Sequence, residues 1–295
     1  MKIETIGVMS PGDMGQAIAQ QLKSKGLTVC TALDQRSARS KALAAEAGLT
    51  DVGSIAKLTE QCDVILSVMN PGSALEFAGE IAQALAANKR SPLVVDCNAI
   101  APDTMQAINT KITAAGGRCA DGGIIGPPPR GTAKTNLYVS GPDARALEQI
   151  ATPQLVVRVL SERLGDASAI KMCYAAMTKG VQALVLELLV AARRLGVDAA
   201  LEAQIKSSRS EVYDWVIGAL PIMPPKAHRW VPEMLEIAKT FEGAGMTPRI
   251  FEGAADMYTF IAATALGKET PENRDKSRQG QDVVKSLADE PRKAK

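Results

Sequence analysis

The segment Ser10-Pro11-Gly12-Asp13-Met14-Gly15 joins an apolar, β-rich run, Ile3 to Met9, to a stretch from Gln16 to Leu22 whose apolar residues recur at helical spacing. A tight glycine turn between a strand and a helix brings backbone N–H groups and the positive end of the helix close to a phosphate. The chemistry such a turn serves is capture of a dinucleotide pyrophosphate. Gly12 gives close backbone approach, and Gly15 lets the helix lie on the strand. Ser10 stands where the first glycine of a G-x-G-x-x-G fingerprint belongs, so the pattern is incomplete. Pro11, Gly12, Asp13, Met14 and Gly15 are the residues expected to line the cofactor here.

A second anchor follows one strand later. The run from Leu27 to Asp34 reads as a strand ending on an acid. Asp34 could accept hydrogen bonds from a ribose 2′-hydroxyl, which selects NAD; Arg36 and Ser37 could instead cradle a 2′-phosphate, which selects NADP. Both stay open, with NADP preferred.

These residues need a scaffold, and the first half of the chain supplies one. Strand-like runs at Ile3–Met9, Thr28–Leu33, Val64–Val68, Leu93–Cys97, Arg118–Asp121 and Leu137–Ser140 alternate with helical stretches such as Ser73–Ala86 and Asp103–Ala114. Such alternation predicts an α/β fold, a doubly wound, mostly parallel Rossmann sheet covered by helices, with ligand loops at the carboxyl ends of the strands. From Asp166 to Leu195 the pattern is one long helix ending at Gly196 as a glycine cap. An all-helical region punctuated by Pro221, Pro224, Pro225 and Pro232 follows, and the charged stretch from Gly267 to Lys295 reads as a solvated helix plus a frayed tail. The expected division is a cofactor-binding domain over 1–162 and a helical substrate and dimerisation domain over 163–295.

Composition narrows the partners. Lys+Arg 34 against Asp+Glu 32 leaves a net charge of +2 in 295 residues, which gives no reason to expect nucleic acid or an anionic membrane. No apolar run is read as a membrane span, and no signal peptide is read at the N-terminus. The five cysteines are scattered without metal-ligand spacing, and His228 is the single histidine, so no metal site is expected. Reduced thiols fit a cytoplasmic location.

Four segments, in order, resemble the β-hydroxyacid dehydrogenase superfamily, the group related to 6-phosphogluconate dehydrogenase. Ile6 to Gly15 is similar to its cofactor fingerprint. Asp96-Cys97-Asn98-Ala99-Ile100-Ala101-Pro102 is similar to its D-x-S-T-x-x-P segment. Asp121-Gly122-Gly123-Ile124-Ile125-Gly126-Pro127 resembles its substrate loop, D-A-P-V-S-G-G. Gly165-Asp166-Ala167-Ser168-Ala169-Ile170-Lys171 resembles the G-x-G-x-x-x-K segment that carries a catalytic lysine. The resemblance implies that Lys171 is the general acid/base beside the carbon that exchanges hydride, in a cleft between the two domains. It also implies that the Val68-Met69-Asn70-Pro71 turn lines the cofactor, with Asn98 beside both cofactor and substrate.

The departures from the family pattern concern the substrate. Ala175 stands where the family has an asparagine one turn beyond the lysine, and a methyl group cannot donate a hydrogen bond. Thr178 lies near the same helix face, and Lys179 is somewhat rotated from it. Ile125 and Pro127 replace a serine and a glycine, with Gly126 between them. Arg130 could pair with a carboxylate, or be a plain loop arginine. Glu233 stands where an aspartate is usual, and Pro232 where a lysine is. His228 could face the substrate, although packing in a loop is the plainer reading. Trp215 and Trp230 suit a core or a subunit interface. The C-terminal region resembles a helical domain of a little-characterised branch of the superfamily.

The expectation is an NAD(P)-dependent oxidoreductase acting on a hydroxyacid or related alcohol or ketone, as a homodimer. The alternatives are a reductase of imines or bulky ketones, and a non-catalytic NADP(H) sensor.

Overall fold

The computed structural model describes residues 1–291 except Gln35 and Lys89. The chain divides into two compact units, Met1–Met172 and Cys173–Lys295. The tail expected to fray ends in residues 292–295, outside the described residues.

The first unit contains β1 (Thr5–Met9), α1 (Asp13–Ser24), β2 (Thr28–Thr31), α2 (Ala38–Glu46), β3 (Thr50–Asp51), α3 (Ile55–Gln61), β4 (Val64–Ser67), α4 (Ala74–Ala87), β5 (Leu93–Asp96), α5 (Pro102–Ala114), β6 (Arg118–Ile125), β7 (Thr135–Ser140) and β8 (Leu155–Ser161). The strands form one sheet in the order β3-β2-β1-β4-β5-β6-β7-β8. All neighbours are parallel except β6 and β7. The chain winds outward from β1 through β2 to β3, then returns to place β4 on the other side of β1. Strand order therefore reverses between β1 and β4, where open α/β sheets bind ligands at their carboxyl ends.

Both faces of the sheet are covered, which explains the near-continuous apolar runs of its strands. Ile6, Val8, Val64, Leu66, Leu93 and Val95 enter one core beside Ile18 and Leu22 of α1. Met9, Ile65 and Val94, displaced by one residue, enter the other beside Leu58, Phe77, Ile81 and Ile108.

Three boundaries differ from expectation. β3 has only two residues, both exposed, and carries no apolar signal. β8 was not expected; only Leu155 is buried, and the residues after it are partly buried or exposed. β6 runs on through Ile125, so most of the expected substrate loop is strand, paired antiparallel to β7 through Ile125↔Asn136. Gly122 and Gly123 suggest a loop, yet each is small because a neighbour is close. A Cβ on Gly122 would lie 2.8 Å from Cys97 Sγ, and one on Gly123 would run into the carbonyl oxygen of Ala167.

The helix starting at Asp166 consists of α6 (Asp166–Ala175), one π-helical turn over Ala176–Gly180, and α7 (Val181–Leu195). Gly196 ends it with φ 74°, as a left-handed cap. The division between the two units falls within this helix rather than before it. The expectation that no run could span a membrane is corrected. By length and composition this helix could, with a mean hydropathy of 1.5, but 44% of that window is buried, with Leu186, Leu189 and Val190 inside the second unit.

The second unit continues through α8 (Asp198–Ala219), α9 (Ala227–Gly243), α10 (Arg249–Ala263) and α11 (Gly280–Asp289). α8 is kinked at Arg209. α11 is not the solvated helix expected of a charged terminus: it buries Val283, Val284 and Leu287, and Arg194 donates to the carbonyls of Leu287, Ala288 and Glu290 at its end. Its charges lie on one face and its apolar residues recur at helical spacing, so the average composition hid a packed stripe.

Candidate functional site

The turn after β1 has the form its residues predict. Gly12 is the N-cap of α1, and no side chain caps that first turn. Among the described residues a Cβ on Gly12 would meet nothing within 4 Å, so the backbone faces open space where a phosphate could approach. Gly15 is different: a Cβ there would run into the carbonyl oxygen of Ser10 and lie 3.5 Å from Val8 Cγ1. Gly15 is therefore required for packing, and Gly12 leaves room. Pro11 is buried and Met14 packs against the core, so these two contribute shape and backbone rather than side-chain contact.

Arg130 does not wait for a substrate carboxylate. Its guanidinium donates to Asp13 Oδ1 at 2.7 Å, to the Asp13 carbonyl at 3.0 Å and to Gln16 Oε1 at 2.9 Å. It braces the first turn of α1, a role that neither of the two open readings of Arg130 named.

Beyond β2 and β4 a cavity of about 340 Å³ brings together Met9, Asp34, Arg36, Met69 and Phe77. Asp34 lies past the strand rather than in it, since β2 stops at Thr31. Among the described residues Arg36 Nε is buried with no hydrogen-bond partner, a donor that an anion in the cavity would satisfy. Ser37 caps α2 by accepting from Ser40 N at 3.2 Å. Glu76 and Glu80 on α4 also line the cavity. Spacing did not reveal them, because only the turn of helix that follows Pro71 carries them to it.

Asn98 holds the loop after β4 in place. Its Oδ1 accepts from Met69 N at 2.6 Å, and its Nδ2 donates to Ser67 Oγ at 2.8 Å and Asp96 Oδ2 at 2.9 Å. Both amide N–H groups are used and the residue is 2% exposed. The expected direct contact with a ligand gives way to positioning of Met69 and Asn70. Asn70 in turn accepts from Gly72 N at 3.1 Å, capping the short 3-10 turn that leads into α4.

A buried polar row crosses the carboxyl edge of the sheet, and the sequence reading missed it. Strand register places Ser67 beside Asp96, Asp96 beside Asp121, and Asp121 beside Ser140. None is more than 2% exposed. Each stands at or near the end of an apolar run: Val-Ile-Leu-Ser, Leu-Val-Val-Asp, Cys-Ala-Asp, Leu-Tyr-Val-Ser. That recurrence is the signal that could have revealed the row. Burial, with the neighbouring Asp121 charge adding to it, pushes the Asp96 carboxyl up to about 7 against the hydrogen bonds from Asn98 and Ser67. Burial also raises Asp121, opposed by bonds from Ser168 and Ser140.

Lys171 stands just beyond this row. The backbone of α6 passes so close to β6 that a Cβ on Gly123 would lie 3.2 Å from Lys171 Cβ. Lys171 is half-buried. Ile125 ends the same strand, and Gly126 follows it with φ 132° where the chain leaves the sheet.

In the second unit, Ala175 is 1% exposed and turned into the protein, so it lines no surface. Thr178 donates back to the carbonyl of Tyr174 at 3.2 Å. Lys179 is not the surface lysine its position allowed. It forms an ion pair with Glu233, their side chains 19% and 6% exposed, and its ammonium lies 5.1 Å from the centre of the Trp230 ring. Tyr258 donates to the Lys179 carbonyl at 2.7 Å and meets Trp230 edge-on, with ring centres 5.1 Å apart. The cluster pins α9 and α10 to the π-helical turn. His228 is exposed in the first turn of α9. Trp230 packs, whereas Trp215 is 40% exposed.

A family model described as the NAD binding domain of 6-phosphogluconate dehydrogenase matches residues 5–153, and a domain of unknown function, DUF1932, matches residues 192–261. The mitochondrial 3-hydroxyisobutyrate dehydrogenase of Drosophila melanogaster is 24% identical over 233 residues, covering 75% of this chain and 70% of its own length. The structure of 3-hydroxyisobutyrate dehydrogenase from Mycobacterium tuberculosis with L-serine superposes with a TM-score of 0.70 at 18% identity, over 97% of this chain and 99% of that one. A reductive aminase from Aspergillus terreus, in complex with NADPH and ethyl-5-oxohexanoate, does so with a TM-score of 0.55 at 16% identity, over 97% and 98%. At these identities the structural likeness is one of fold.

Proposed function

The chain belongs to the family of the NAD binding domain of 6-phosphogluconate dehydrogenase, followed here by a DUF1932 domain, and on that premise we propose that it is an NADP-dependent oxidoreductase acting on a hydroxyacid or related alcohol. The observation that carries this reading is the seating of Lys171 over Gly123, at the edge of the sheet where the open Gly12 turn also lies. The residues fit a dinucleotide: Gly12 leaves space for a pyrophosphate, Asp34 and Met69 line the cavity beyond it, and the buried Arg36 Nε has among the described residues no partner, which a 2′-phosphate would provide. Bound there, the nicotinamide cofactor supplies or accepts the hydride.

The chain's own part is the proton. Lys171 takes the hydroxyl proton as the alcohol is oxidised and returns it in the reverse direction. Asn98 orders the Met69–Asn70 loop, and Arg130 braces the turn that begins α1. Lys171→Ala is expected to leave NADPH affinity unchanged and to lower turnover by about two to four orders of magnitude. Unchanged turnover in that variant would remove Lys171 from this role.

A second reading, a reductase of imines or bulky ketones, is favoured by one observation. Arg130 and Asn98, the groups best suited to a substrate carboxylate, are committed within the protein. Profiling NADPH oxidation with carboxylate-bearing against neutral ketones, with and without amine, separates the two readings. Cofactor binding with no turnover across the panel would favour a sensor. We also propose a homodimer: Tyr174, Met177 and Leu184 leave an apolar stripe 48%, 62% and 62% exposed along one helix. Light scattering giving a monomer at micromolar concentration would exclude it.

A further inference from the structure

Asp121 and Gly123 face α6 rather than solvent, and their contacts are specific. Asp121 Oδ2 accepts from Ser168 N at 2.8 Å, and Oδ1 accepts from Ser168 Oγ at 2.6 Å. Ser140 Oγ donates to Asp121 Oδ2 at 3.2 Å and accepts from Ala167 N at 3.0 Å. Two amides of the first turn of α6, which have no partner within the helix, are thus held by β6 and β7. A carboxylate at a helix N-terminus is also favoured by the helix dipole. Asp121 and Gly123 lie two residues apart on β6 and so share one face. Asp121 grips Ser168; Gly123 admits Ala167 and Lys171. Ser168 and Lys171 are three residues apart, on adjoining turns of one helix face.

We propose that Asp121 is a positioning residue for Lys171: through Ser168 it fixes the first turn of α6, and so sets where the lysine stands. Asp121 does not touch the reacting atoms. Its neighbour in the row, Asp96, performs the corresponding task at the other end, holding Asn98 and through it the Met69 amide. One buried row thereby ties the cofactor loop to the lysine helix, so that the two sides of the site share one reference. The proposal rests on the reading of Lys171 as the acid/base, and its test separates the two.

Asp121→Asn and Ser168→Ala are compared with the wild type by three measurements. The first is trace acetylation by acetic anhydride, mapped by mass spectrometry, with the exposed Lys57 and Lys111 as internal controls; it needs no substrate. The second is NADPH affinity. The third is kcat and KM for 3-hydroxyisobutyrate with NADP. The expected result is acetylation of Lys171 about threefold faster or more, with Lys57 and Lys111 unmoved. NADPH affinity and KM should hold, and kcat should fall about 10- to 100-fold. Should Asp121→Asn not fold, Ser168→Ala decides, since it removes only one hydroxyl. Folded variants whose Lys171 acetylates as in the wild type would overturn the proposal. So would a rise in the Lys171 rate no larger than the fall in unfolding free energy accounts for, read by chemical denaturation of each variant. If wild-type enzyme does not turn over 3-hydroxyisobutyrate, that hydroxyacid is excluded as substrate, and the acetylation rates alone judge Asp121.

Discussion

Two glycine-bearing segments at the carboxyl edge of the sheet look alike in sequence and do opposite things. After β1, Gly12 faces open space. Within β6, Gly122 and Gly123 face the protein's own atoms, Cys97 Sγ and the backbone of α6. The first glycine makes room for something outside the chain. The second pair makes room for the chain itself: Gly122 for the end of β5, and Gly123 for the helix that seats against the strand. Gly15 belongs with the second kind although it sits in the first segment. The lesson is that a missing side chain shows only that something comes close; what comes close has to be found in the neighbouring elements.

Substitutions can break this comparison. The largest effect is expected from Gly123→Ala, whose Cβ would run into the Ala167 carbonyl. Either α6 shifts or the strand does, at a stability cost of about 1–3 kcal/mol, with turnover reduced as Lys171 moves. Chemical denaturation alongside NADPH oxidation reads both effects; a variant as stable and active as wild type would mean that α6 does not bear on Gly123. Gly12→Ala should show the reverse pattern. Stability should change by no more than about 0.5 kcal/mol, because the new methyl meets nothing. NADPH affinity should drop about tenfold, since the methyl occupies the space of the phosphates. Equal affinity would place the cofactor elsewhere.

How far the two segments were legible in sequence follows the same line. The turn after β1 is local: strand, glycines and helix lie within one short stretch, so type and spacing were enough. The cap at Gly196 is local too. The β6 segment was misread as a loop because its glycines answer to Ala167 and Cys97, which are distant in the chain. Ser168 reaches Asp121 across 47 positions and Lys179 reaches Glu233 across 54, and no spacing rule spans such distances. The polar row was visible only as a repeated run ending. Its meaning needed the register that aligns Ser67, Asp96, Asp121 and Ser140. Composition misled at α11, where a charged average concealed an apolar stripe.

A smaller effect sharpens the account of the row. In the folded chain the Asp96 carboxyl titrates at about 7, above the value of about 3.9 in an unfolded chain. Between those values the folded state holds the extra proton, so stability from this group is greatest at low pH and is lost as pH rises toward 7. Asp96→Asn should flatten the slope of unfolding free energy against pH between about 5 and 7. Its absolute stability should fall by about 1–3 kcal/mol, because the new amide faces the Asn98 amide it should accept from. Parallel wild-type and variant slopes would show that Asp96 does not titrate in this window.

The most direct measurement is titration of the wild-type protein and of Arg36→Ala with NADPH and NADH, followed by nicotinamide fluorescence. Saturable NADPH binding, tighter than NADH in the wild type and reduced to the level of NADH in Arg36→Ala, would support both the cofactor site and its 2′-phosphate contact. NADH preference would move the contact to Asp34. Binding of neither nucleotide would contradict the oxidoreductase reading itself.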